Sequence, residues 1–343
     1  MICINLYHIH NYTLKLVQLL AQQSAMLVSG FTTTFGLPGN IFRSNWKGGG
    51  PQLAGWNAIK RPNPRMPGGH WQGVLKSEGE GVLEALDILF PEQSDEKVDG
   101  ASELASYDDR MSAGREAQGY LSTGQLVPAA VIDGALTYGE FDFSFFASVV
   151  RDCLSIYADE SENGSLEAEA RKRVFCDLGS GCGRLVIGQA LAWPWRCCKG
   201  IEKVEALHNM GMSALGVAKK LAEGEKQSGG EALSPEALKS LEQMSPCDLL
   251  LGDANDPDEV ELSDVDILFC YCTAFPARGD MLTELSYTLG HQLRPGTLVI
   301  TTDRRLASDG PWEFAPLGER TGPNSEIGGS STAFLWRVIR SAL

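Results

Sequence analysis

The chain has 343 residues, 43% of them hydrophobic, and a formal net charge of −15 from 29 basic and 44 acidic side chains. That balance disfavours direct nucleic-acid binding, because polyanions are held by Lys and Arg that neutralise phosphates. No apolar run reaches the roughly 18 residues that a membrane span needs, and nine cysteines without paired C-x-x-C spacing argue for reduced thiols, not a disulfide framework or a metal site, in a chain that is not secreted.

The charge is unevenly spread. No Asp or Glu precedes Glu78, whereas seven basic residues do; from residue 78 onward, 22 basic residues face 44 acidic ones. An acid-free start with Ser, Thr and an apolar stretch over residues 14–28 is similar to an organellar presequence, although arginines are few. Residues 36–72 are rich in Gly, Pro, Asn and Trp and show no period, so residues 1–77 are expected to be irregular or presequence-like. A helical pattern over residues 74–89 is closed by Pro91. Residues 92–110 read as a polar linker and 111–133 as partly helical. Residues 78–135 thus form a partly helical extension and linker.

The remaining residues, 136–343, carry the chemistry. They open with Tyr138-Gly139-Glu140 and with Phe141, Phe143 and Phe145, then a helical stretch through Tyr157 and a polar loop over 158–169. Arg173 to Cys176 reads as a strand that ends in Asp177. Gly179, Ser180, Gly181 and Gly183 follow, and a helical pattern starts at Leu185. A strand, a tight glycine turn and a helix start present free backbone N–H groups to a ligand. The dinucleotide pattern G-x-G-x-x-G requires glycine where this chain has Arg184, which argues against a nicotinamide cofactor.

Strands and helices then alternate. Strands are expected over 197–202, 247–252, 265–271 and 297–302, helices over 203–223, 234–244 and 280–293, and two final strands over 312–316 and 332–339. Ser234 and Pro235 mark the start of one helix. This succession predicts an α/β fold with a mainly parallel sheet, closed by an antiparallel hairpin. Ligands in such sheets sit at the carboxyl ends of the strands. Glu202 ends the second strand about twenty residues past the glycines, where a carboxylate can accept hydrogen bonds from a ribose diol. Asp253 ends the third, beside Ala254, and reads either as an adenine contact or as a loop cap. These carboxylates favour a cationic, ribose-bearing ligand over a phosphate-rich one.

Asp177-Leu-Gly-Ser-Gly-Cys-Gly183 resembles motif I of the class I S-adenosylmethionine (AdoMet) methyltransferases. Together with Tyr138-Gly-Glu140, Gly200-Ile-Glu202 and Phe269 to Phe275, followed by a Leu-Arg-Pro-Gly-Thr turn, it resembles the DOT1-like histone-lysine methyltransferase superfamily over about half the chain. The resemblance implies a seven-stranded Rossmann-like sheet, here with an irregular N-terminal extension. It implies AdoMet as cofactor, held by Tyr138, Glu140, Asp177, Gly179, Ser180, Gly181, Gly183, Glu202, Asp253 and Ala254. The alternative reading of Tyr138 and the neighbouring phenylalanines is core packing beside a turn. The implied activity is methyl transfer to a protein lysine, with histone H3 or another Lys-rich protein as partner and the nucleus as compartment. Tyr271, Thr273 and Phe275 would line the acceptor channel, with no general base assigned. One departure stands: Tyr271 and Cys272 occupy the place of the paired asparagines that the family carries. A non-histone protein or small molecule in a plastid or mitochondrion is the alternative acceptor, and a non-catalytic AdoMet-binding domain is the alternative to an enzyme.

Overall fold

A computed structural model describes residues 78–92, 104–117, 139–161, 164–224, 233–253, 256, 259–324 and 329–343. The expectations for residues 1–77, for Tyr138 and for Ala254 lie outside the described residues. All described residues fall in the compact unit Gly68–Leu343.

The elements in chain order are α1 (Glu78–Leu89), α2 (Tyr107–Ala117), α3 (Phe143–Glu160), α4 (Leu166–Ala170), β1 (Val174–Leu178), α5 (Arg184–Ala192), β2 (Cys197–Glu202), α6 (Glu205–Ala222), α7 (Pro235–Glu242), β3 (Cys247–Leu251), β4 (Ile267–Cys270), α8 (Thr283–Gln292), β5 (Leu298–Thr302), β6 (Glu313–Asn324) and β7 (Gly329–Arg340). They build one seven-stranded sheet in the order β3-β2-β1-β4-β5-β7-β6. The first five strands in that order run parallel, and β7 is antiparallel to both β5 and β6. This is the class I methyltransferase Rossmann-like sheet expected from the sequence. Its strand order reverses between β1 and β4, which opens a crevice at their carboxyl ends.

Both faces of the sheet are covered. One face packs Phe146, Phe175, Phe269, Val186 and Ile187, and the other packs Leu178, Leu268, Val299 and Leu289. Cover on both sides leaves every residue of β1 and β5 buried, with no alternation. Phe146 stands edge-on to Phe269 at 4.7 Å and to Phe175 at 5.8 Å. Each such pair contributes roughly 0.5–1.5 kcal/mol beyond its buried area. Helix α1 buries Val82, Ala85, Leu86 and Leu89 in the first cluster, the i, i+3, i+4, i+7 stripe of an amphipathic helix.

Several boundaries differ from the sequence reading. Helix α2 begins at Tyr107, inside the expected linker, because Ser106 and Asp109 cap it reciprocally: the Ser106 N–H donates to Asp109 Oδ2 at 3.0 Å and the Asp109 N–H to Ser106 Oγ at 3.2 Å. The acidic loop over 158–169 is partly helical, since α3 runs to Glu160 and Ser165 caps α4. Its polar composition hid both. Strands β6 and β7 are 12 residues each, longer than expected. β6 is an edge strand with a mostly exposed middle, so its extent follows from pairing and leaves no apolar pattern. The last β5–β7 pair is Thr302 with Ala333, yet β6 and β7 continue pairing to Asn324 and Gly329. The hairpin therefore overhangs the carboxyl edge of the sheet by four residues, roughly 13 Å at strand rise.

At the opposite edge, Asp266 ties the strand starts together. Its Oδ2 accepts from the Val174 N–H at 2.8 Å and its Oδ1 from Arg294 at 2.5 Å. Among the described residues, no helix is long and apolar enough to cross a membrane.

Candidate active site

The glycine turn after β1 is built by backbone conformation. Gly179, Gly181 and Gly183 have φ of 80°, 56° and 76°, a region that side-chain-bearing residues rarely adopt. Gly183 is the N-cap of α5, and its carbonyl accepts the Ile187 N–H at 2.9 Å. The Gly179 and Ser180 N–H groups both donate to the Ile201 carbonyl, at 2.8 and 2.9 Å. The turn is thereby sewn to the end of β2.

Glu202 completes that seam. Its Oε2 accepts the Gly181 N–H and its Oε1 the Val204 N–H, each at 2.7 Å. One carboxylate thus holds both the turn and the entry to α6. Burial raises the Glu202 carboxyl above its usual range, and these backbone donors and the nearby His208 oppose the rise.

Asp177 lies beside it on β1, 2% exposed. Its Oδ1 has no hydrogen-bond partner. Burial, and then the neighbouring Glu202 charge, push its carboxyl up to about 8. Two carboxylates converge at the switch point, one with an unmet acceptor. A cation placed there would satisfy the oxygen and relieve the repulsion. A polyanion would worsen both. This donor set fits the ammonium-bearing, ribose-bearing AdoMet implied by the sequence.

The other expected cofactor residues are placed differently. Asp253 is half-buried, with its Oδ2 2.6 Å from the Lys203 ammonium and its N–H donating to Glu259 Oε2 at 2.9 Å. That is compatible with either expected role. Glu140 is engaged by arginines: Arg110 Nε donates to its Oε1 at 2.6 Å, and Arg184 Nε lies 3.8 Å from its Oε2. The Arg184 side chain, where a dinucleotide fold has glycine, therefore pairs with the segment before α3.

Nothing in the residue pattern singles out Arg110. It is 2% exposed and also donates to the Pro91 and Ala105 carbonyls, at 3.1 and 2.8 Å. Its place in an acidic, charged run made it look like a solvated residue. Replacing Arg110 by alanine is expected to cost about 3 kcal/mol, because it leaves the half-buried Glu140 carboxylate and two carbonyls underserved. Urea unfolding at neutral pH measures this, and an unchanged midpoint would show that Arg110 carries no such load.

The three acceptor-side residues follow β4. Phe275 faces the glycine turn: a Cβ on residue 179 would stand 3.4 Å from its ring. Thr273 is exposed. Tyr271 packs with the first core cluster and Phe275 with the second. Tyr271 meets Phe141 edge-on at 5.1 Å, and its hydroxyl accepts from Asn324 Nδ2 at 3.1 Å. Asn324, in a Gly-Pro-Asn-Ser run, is not among the residues expected here from the sequence. Among the described residues, no group of three or more His, Cys, Asp or Glu is placed to hold a metal ion.

No protein-family model matches the chain, and no curated protein matches it. Solved structures do. An RNA methyltransferase from Salinibacter ruber in complex with S-adenosyl-L-homocysteine is 23% identical, with 56% of this chain and 91% of that chain covered and a TM-score of 0.30. An rRNA methyltransferase from Streptomyces viridochromogenes is 15% identical, with 72% and 94% covered and a TM-score of 0.38. At such scores the likeness carries nothing about activity or acceptor, and the strand order stands by itself for the fold.

Proposed function

We propose that the chain is an AdoMet-dependent methyltransferase acting on a protein amine, with a lysine side chain as acceptor. The observation that carries this reading is the buried Asp177 carboxylate, with an unpartnered Oδ1, beside Glu202 at the switch point of the sheet. AdoMet, when bound, supplies a methyl group already activated on sulfur. Asp177 would hold the ammonium and Glu202 the ribose hydroxyls, while the Gly179–Gly183 backbone lets the ligand approach closely. Phe275, against Gly179, would exclude water from the reacting side. Alignment of the two reactants is then the main source of rate. A lysine acceptor must lose a proton first, and the aromatic surroundings of Tyr271 and Phe141 lower its pKa by desolvation.

The resemblance supports histone H3 as the protein and the nucleus as the compartment, and the acidic chain suits a Lys-rich partner through long-range attraction. Tyr271 and Cys272 in place of the family's asparagines support the second reading, a non-histone protein in an organelle. The deciding experiment is transfer of radiolabelled methyl from AdoMet to nucleosomes, to whole-cell protein and to total RNA, with Asp177→Ala as control. Label on histone H3 supports the first acceptor, and label on another protein supports the second. Label on RNA alone would overturn the protein reading. Binding of AdoMet without transfer to any of them would point to a non-catalytic domain.

A further inference from the structure

The overhanging hairpin brings an amide against Tyr271. Asn324, the last residue of β6, is fully buried. Its Nδ2 donates to Tyr271 Oη at 3.1 Å and to Ser331 Oγ at 2.7 Å, and its Oδ1 has no hydrogen-bond partner. The end of β6 is anchored from below: a Cβ on residue 322 would stand 2.2 Å from the Phe145 ring, so only glycine lets β6 lie on α3 there. Asn324 is thus held by packing and by two bonds from one end of its amide. The other end is a buried acceptor with no partner, an unfavourable state that a donor would relieve.

This inference rests on the methyltransferase reading above. We propose that Asn324 is an acceptor-binding residue: it fixes Tyr271 and offers Oδ1 to an N–H of the neutral amine that receives the methyl. The chemistry has a consequence for the product. A neutral primary amine has two N–H bonds, and its lone pair is free to attack while one N–H is held. A monomethylated amine still has one. A dimethylated amine has none, so Oδ1 gives it no purchase. In each transfer the nitrogen lone pair forms the new N–C bond, the sulfur–methyl bond breaks with its electrons staying on sulfur, and the proton lost from nitrogen goes to solvent. The site therefore supports two rounds and disfavours the third.

The test uses the full chain with radiolabelled AdoMet, core histones and whole-cell protein as probes, and mass spectrometry of the labelled product. Binding of S-adenosyl-L-homocysteine is followed by calorimetry. In Asn324→Leu, kcat/KM is expected to fall roughly tenfold or more through KM, the loss of one buried hydrogen bond to substrate, with S-adenosyl-L-homocysteine affinity within about twofold of wild type. Asn324→Asp, which keeps an acceptor oxygen in the same place, is expected to recover most of the rate. Wild-type product is expected to be mono- and dimethylated. Transfer by Asn324→Leu equal to wild type, or abundant trimethyl product from wild type, would overturn the inference while leaving the methyltransferase reading intact. Equal loss of cofactor affinity and rate in both variants would show a purely structural role and overturn it as well. Absence of any labelled protein with wild type removes the protein-acceptor reading, and this inference falls with it.

Discussion

Asp177→Asn is expected to stabilise the ligand-free protein and, at the same time, to weaken AdoMet binding about 100-fold. The stability effect follows from linkage. The folded-state carboxyl sits at about 8 against a reference of 3.8. A carboxyl raised in the folded state destabilises as it is forced to ionise, so stability falls as pH rises from about 4 through about 8. Near neutral pH the penalty is on the order of 4 kcal/mol. Asparagine has no proton to lose and escapes it. The variant should therefore melt several degrees above wild type at pH 7.5, and that advantage should vanish near pH 4. The binding effect has the opposite sign, because a buried charge-assisted bond to an ammonium is lost. Wild-type affinity should itself increase with pH up to about 8, since the cation prefers ionised Asp177, and binding below that pH should release a proton. Calorimetry in two buffers of different ionisation enthalpy reads that proton directly. A variant that binds AdoMet normally would remove Asp177 from the site, and one that melts below wild type at pH 7.5 would refute the charge argument.

How far the sequence could be read depended on whether a feature is local. The glycine turn was legible because Asp177, the three glycines and the helix behind them are contiguous, and each residue type has a conformational reason to be there. Glu202 was legible by spacing alone, because a strand and a helix of ordinary length set the distance from the turn. What the sequence concealed was its second role: that each of its oxygens already accepts one backbone N–H, from Gly181 and from Val204, follows from the fold of the turn, not from the residue. Glu140 was legible as a residue of interest but not as a partner of Arg110, thirty positions away, since nothing periodic links the two. Asn324 is the plainest loss. It becomes informative only when β6 is paired four residues beyond the sheet edge, and that pairing leaves no hydrophobic alternation to detect. The acidic loop misled for a related reason: α4 is short and polar, held by its Ser165 cap and by burial of Glu169 and Ala170, not by an apolar stripe that composition would show.

A valine at position 211 should damage the cofactor site from behind, without touching any ligand-facing residue. Gly211 lies in α6, where a Cβ would stand 2.7 Å from the Cys182 carbonyl oxygen and 3.0 Å from Leu249 Cδ1. The first of these neighbours is backbone of the glycine turn. It cannot step aside as a side chain would, so α6 or the turn must move. Movement of the turn strains the Gly181 bond to Glu202, which is 2.7 Å long, and displaces the backbone that lets the ligand come close. Overpacking of this kind costs about 1–3 kcal/mol, and a comparable loss in binding corresponds to a roughly tenfold to hundredfold drop in AdoMet affinity. Gly216 supplies the control, since it lies in the same helix and a Cβ there meets nothing within 4 Å. Gly216→Ala should be neutral or stabilising by about 0.5–1 kcal/mol, as alanine is the better helix former. Thermal melts and calorimetric titration of the two variants separate the explanations. If Gly211→Val loses both stability and affinity while Gly216→Ala keeps both, the close approach of α6 sets the shape of the turn. If Gly211→Val binds AdoMet like wild type, the turn holds its conformation through its own hydrogen bonds, and the packing behind it is incidental to the site.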